Sequence, residues 1–172
     1  MLKTAVVVIF AVAGVICSTG CGPDSSAGRV SSGTGGDALG AYMPSEVHIV
    51  GLTEITPVSA GPWQGKLNAY VDLVDSFGCC VKSPGLFRFE LYEFVPRSSQ
   101  PKGKRIFFPQ DIDLTDATEN NKHWRDFLRA YQFELPLNFS PKPDESFVLE
   151  VTFTTPQGNR LRDTFHIRYE SQ

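Results

Sequence analysis

The sequence predicts an all-β fold, an antiparallel two-sheet sandwich of about seven strands with one short helix. Three observations lead there. Apolar and polar residues alternate along successive short runs, turn residues separate those runs, and every phenylalanine except Phe10 falls within residues 45–172. One apolar face per strand, turned toward a shared interior, is how such a sandwich buries its core.

Taken in order, "EVHIVGL" around Val47 gives a first strand. In "KLNAYVDLVD" Leu67, Ala69, Val71 and Leu73 share one side, and in "LFRFELYEF" Phe87, Phe89 and Leu91 oppose Arg88, Glu90 and Tyr92. "RIFFPQDIDL" around Ile106 reads as another strand. "AYQFELPLNF" aligns Tyr131, Phe133, Leu135 and Leu137, while "SFVLEVTFTT" aligns Phe147, Leu149, Val151 and Phe153. "LRDTFHIRY" aligns Leu161, Phe165, Ile167 and Tyr169, and "TPQGNR" before it is a hairpin turn. The arrangement is of the immunoglobulin-, transthyretin- or C2-like kind. In "DATENNKHWRDFLRAY", Trp124, Phe127, Leu128 and Tyr131 fall at i, i+3, i+4 and i+7, the stripe of a helix. Asp116 and Glu119 would cap it as a box, or the Asn120-Asn121 pair starts the turn later. The stripe is expected to plug one end of the sandwich.

The amino end follows other rules. Lys3 precedes residues 5–16, which carry no charged or polar side chain. That run is short of the roughly 20 residues a bilayer span needs, but fits a secretory apolar region of about 7–15. Ser18, Thr19 and Gly20 then lead into Cys21. The stretch resembles the lipobox of bacterial lipoproteins, with Ser18 standing where Leu is commonest. Cys17 follows bulky Ile16 and does not fit the motif. The resemblance implies that residues 1–20 are a signal peptide and that the mature chain begins at a lipidated Cys21. One acyl chain holds only marginally, so two or three are expected for a stable anchor.

Residues 22–44 contain six glycines and few large apolar side chains, too little to order themselves. They are expected to form a tether with an end-to-end distance of about 25 Å. Residues 45–172 suffice for one domain with a real core. The whole chain has 16 Lys+Arg against 19 Asp+Glu, net −3, and removing residues 1–20 takes away Lys3 alone, leaving −4. A mildly acidic chain has no general attraction for nucleic acid. Lys102, Lys104 and Arg105 are expected in a solvated loop.

The runs "YVDLVDSFG", "VKSPGLFRFELYEF", "PKGKR", "WRDFLRAYQFELPL" and "FVLEVTFTTPQGNRLRDTF" together resemble small planctomycete-type lipoproteins of unassigned function. That resemblance implies the anchor and the sandwich, and brings no catalytic motif with it.

The candidates for chemistry are few. Cys79-Cys80 would meet an oxidising compartment if exported. They are read as a strained vicinal disulfide, as unpaired thiols, or as crosslinking or metal-binding groups. His48, His123 and His166 lie far apart in sequence, and neither H-E-x-x-H nor a G-x-S-x-G elbow occurs. Ser99-Gln100-Pro101-Lys102 matches S-x-x-K, but Pro101 and Gly103 disfavour the helix that motif needs. Asp72, Asp75, Asp111, Asp113 and Asp116 are candidate calcium ligands, since loop carboxylates supply that ion's roughly six to eight oxygens. Trp63, in the turn "SAGPWQGK", is a candidate sugar-stacking residue. The expected function is non-enzymatic: a lipid-anchored sandwich in the cell envelope that contacts an envelope protein or polymer, without cofactor. The alternative is a calcium or glycan binder on the same sandwich; a redox protein using Cys79 and Cys80 is the enzymatic option.

Overall fold

A computed structural model describes residues 40–58 and 65–170. Among these residues the elements are, in chain order, β1 (Pro44–Ile49), β2 (Glu54–Pro57), β3 (Gly65–Asp75), β4 (Leu86–Phe94), β5 (Lys102–Phe107), β6 (Ile112–Asp113), α1 (Ala117–His123), β7 (Trp124–Arg125), β8 (Ala130–Leu137), β9 (Ser146–Thr154) and β10 (Arg160–Arg168). They form two antiparallel sheets. The first runs β1-β3-β8-β7, with β2 following β1 along the same edge of β3. The second runs β10-β9-β4-β5, with β6 beyond β5 on the same edge of β4. This is the expected two-sheet sandwich. No helix among the described residues is long and apolar enough to cross a membrane.

The period-two faces named from sequence become the interior. Leu67, Ala69, Val71 and Leu73 of β3 are fully buried, as are Phe87, Phe89 and Leu91 of β4 and Phe147, Leu149, Val151 and Phe153 of β9. At the centre Phe87 packs across the sheets against Tyr131 and Phe133, with ring centroids 5.3 and 4.9 Å apart, and along its own sheet against Phe153 at 4.8 Å. Each such ring is worth about 1.5–3 kcal/mol in burial and each tilted pair about 0.5–1.5 more. At one side the sheets are stitched by Asp163 of β10, whose carboxylate accepts the Ile49 N–H of β1 at 2.8 Å.

Three expectations change. The extra strands are short: β2, β6 and β7. "RIFFPQDIDL" divides into β5 and β6 around Pro109, which has no N–H to give a ladder. The helical stripe is not helical. Asp116 caps α1, accepting the Thr118 and Glu119 amides, but α1 ends at Trp124, whose ψ of 136° is extended. Trp124 and Tyr131 are instead cross-strand partners in the β7–β8 hairpin, their rings 5.1 Å apart edge to face. A four-residue turn between two paired positions reproduces the i, i+7 spacing of a helix. Tyr131 belongs to the alternation of Phe133, Leu135 and Leu137, and Phe127 at the turn is 84% exposed.

Buried hydrogen bonds tie α1 down. The Asn120 amide donates to the Ser83 and Leu114 carbonyls at 2.9 and 3.0 Å, and its oxygen accepts from the Tyr131 hydroxyl at 3.0 Å. Tyr131 in turn accepts the Ser83 N–H at 3.0 Å. Burial pushes the Tyr131 phenol above its usual range, against the opposing pull of these partners.

Candidate functional site

The outer face of the second sheet holds the densest chemistry among the described residues. Strand alternation places Arg88, Glu90 and Tyr92 of β4, Val148, Glu150 and Thr152 of β9, and Arg162, Thr164 and His166 of β10 in three registered rows. β9 lies between β10 and β4, whose outward side chains flank its own, so its outward side chains are buried as well. Glu90 and Glu150 stand directly opposite each other. Like charges in that position repel. Three cations resolve the conflict. Arg105 donates to Glu90, Lys102 donates to Glu150, and Arg162 lies 3.8 Å from Glu150. The two carboxylates are sunk, with side chains 12% and 4% exposed, and solvent meets the cationic ends.

Aromatic rings support those cations. Phe108 lies under both the Arg88 and Arg105 guanidinium groups, at 5.5 and 4.8 Å, and the Lys102 ammonium sits 5.0 Å from the Tyr92 ring centre. Arg88 forks onto Asp111 through two bonds of 2.9 and 2.7 Å. That hydrogen bonding holds the Asp111 carboxyl below its ordinary range and raises Arg88 further. Tyr92 is raised, first by burial and then by the negative charges of Glu90 and Glu150. Lys102 and Arg105 therefore belong to a strand and to ion pairs, which corrects the expectation of a solvated loop.

Beside this face, where β5 meets the β8–β9 connection, lies an open cleft of about 440 Å³. Ile106, Phe139 and Phe147 give it apolar walls, while Lys104, Lys142 and Glu145 give it charge.

The residues named from sequence do not converge. Cys21 and Trp63 lie outside the described residues. Cys79 and Cys80 are free thiols, Cys79 exposed and Cys80 half-buried. Cys80 pairs through its backbone with Val74, and successive side chains of an extended segment point to opposite sides. The acids are occupied singly. Asp72 contacts His48 at 3.2 Å, and burial raises its pKa against the opposing pull of that histidine. Asp75 accepts the Phe77 and Cys79 amides, both at 2.9 Å. Asp113 accepts from Thr115, Asp111 takes Arg88, and Asp116 caps α1. Among the described residues no three His, Cys, Asp or Glu side chains are grouped to hold a metal ion. His123 meets the Gln132 carbonyl at 3.0 Å, and the His166 ring lies against Phe94.

Sequence reasoning passed over Glu90 and Glu150. A signal was available: the outward positions of "SFVLEVTFTT" include Val148 and Thr152, the mark of a strand flanked at both edges, where a carboxylate needs a partner. No protein-family model and no curated protein matches this chain.

Proposed function

We propose that this chain is a cell-envelope lipoprotein, exported through residues 1–20 and anchored by lipid on Cys21, whose sandwich domain makes non-catalytic contact with an envelope protein or polymer. The observation that carries the reading is the apolar run of residues 5–16 passing through Ser18, Thr19 and Gly20 into Cys21. Support for contact rather than catalysis comes from the acids, which are engaged one by one in ion pairs, amide bonds and caps.

The second sheet's outer face is the contact surface in this reading. Arg88, Lys102, Arg105, Arg160, Arg162 and Arg168 outnumber Glu90, Glu150, Asp111 and Asp144, the acids that pair with them there, so an acidic partner is favoured. Arg160 and Arg168 are exposed on the outer strand and suited to testing. A crosslinking pull-down from solubilised native membranes is expected to capture a partner that the Arg160→Glu/Arg168→Glu variant loses. Equal capture by both would remove that face from the account. Cys21→Ser is expected to leave an uncleaved precursor without lipid, and normal processing of that variant would remove the anchor.

One observation favours a small-ligand reading: the 440 Å³ cleft has the size of ordinary ligand sites. A glycan screen giving binding abolished by Lys142→Glu would move the function there.

A further inference from the structure

We propose that the end of the sandwich from which the tether leaves docks into the headgroup layer of an anionic bilayer through Phe77, Phe127 and Tyr42. The proposal rests on the anchor at Cys21 and goes beyond it, since a lipid at Cys21 does not by itself fix which side of the domain meets the bilayer.

Four aromatic side chains among the described residues are exposed. Phe108 has its guanidinium partners. The other three, Tyr42 at 65%, Phe77 at 65% and Phe127 at 84%, share one end of the first sheet. Pairing of Pro44 with Asp75 puts Tyr42 and Phe77 together, their ring centres 5.5 Å apart. Pairing of Val71 with Tyr131 brings the β7–β8 turn, with Phe127 at its tip, to the same end of the neighbouring strand. Lys82 connects the two turns, reaching Asp126 at 3.8 Å and the Trp124 ring at 5.1 Å. Single exposed apolar residues are ordinary; here a contacting Tyr42–Phe77 pair and Phe127 at a neighbouring turn stand at the same end of the sheet, which makes that end a candidate interaction surface.

Two features select a membrane as the occupant. The chain enters at Gly40, two residues before Tyr42, so residues 22–39 lead from Cys21 directly to this end. Eighteen residues, 22–39, separate Cys21 from Gly40, a reach of at most about 65 Å, so lipid on Cys21 raises the effective concentration of this end at the bilayer and weak partitioning suffices. Charge agrees. Arg129, exposed beside Phe127, joins none of the ion pairs among the described residues; Arg125 is bonded to Gln132 and two backbone carbonyls rather than to an acid, and the exposed Asp126 between them is met by Lys82. Phenylalanine rings enter the boundary with the acyl region, while tyrosine and arginine suit the headgroups. Docking by this end stands the strands away from the membrane and leaves both outer sheet faces free for partners.

The test is hydrogen exchange of the lipidated protein on vesicles of phosphatidylethanolamine and phosphatidylglycerol, against residues 21–172 carrying Cys21→Ser, produced without residues 1–20 and free in solution. The mass of the amino-terminal peptide is checked first. With lipid present, amides at residues 76–79 and 126–129 are expected to slow about fivefold or more, while those of the β4–β5 turn around Val95, at the opposite end, stay unchanged. Phe77→Ser/Phe127→Ser, both at exposed positions, should melt within a few degrees of the parent and lose the slowing. A lipidated chain with no slowing, or slowing that survives the double substitution, overturns docking and leaves the anchor standing. An amino-terminal peptide without lipid overturns both.

Discussion

Lys66 and Glu134 outside the first sheet, and Lys102 and Glu150 outside the second, are ion pairs of the same kind in different surroundings. Glu134 is 58% exposed, and losing its lysine would return it to water. Glu150 is 4% exposed, faces Glu90 across the ladder, and is met by both Lys102 and Arg162. The contrast extends to the whole faces. Glu46, Glu54, Asp72 and Glu134 outnumber Lys66 and Arg125 on the first sheet's exterior, beside His48, whereas arginines dominate the second. A chain of net charge −3 thus carries a cationic face, and chain-wide charge says little about what one side of a sandwich attracts.

The shared interior sets the scale for that comparison. Phe133→Ala, which removes a ring packed on Phe87 and Phe89, is expected to cost about 3–5 kcal/mol in denaturant unfolding. The outer pairs come next. Lys102→Ala combined with Arg162→Ala should cost about 1–3 kcal/mol by leaving a buried carboxylate without its cations. Lys66→Ala should fall within about 0.5 kcal/mol. Equal effects at the two sites would erase the distinction between the faces.

The smallest effect concerns acid. Asp111 has its folded-state pKa depressed by Arg88, so its contribution is present above the ordinary value of about 3.9 and is lost as pH falls through the lower folded value. The acid limb of the stability curve below about pH 4 should therefore be shallower in Asp111→Asn than in the parent, and shallower in both at high salt because the pair is exposed. An unchanged limb would mean the fork contributes nothing in solution.

The interior was legible in the sequence because period-two burial is written residue by residue, as in Phe147, Leu149, Val151 and Phe153. What failed did so for physical reasons. The Trp124–Tyr131 spacing satisfies a helix and a tight hairpin alike, and tertiary pairing, absent from a linear pattern, decides between them. The ion pairs join β4, β5, β9 and β10, so Lys102 and Glu150 meet only once the sheet order is set. Cys79 and Cys80 stood out in the sequence as a pair, but a backbone bridge to Val74 governs their surroundings. The aromatic end was equally hidden, since Tyr42, Phe77 and Phe127 come from three separate segments.

Intact mass spectrometry of the polypeptide purified from its native membranes tests the account most directly. It predicts a chain beginning at residue 21 and heavier than its amino acids by a diacylglyceryl group with or without an amide-linked acyl chain. A polypeptide of unmodified mass, or one recovered free of membranes with Cys21 bare, would contradict it.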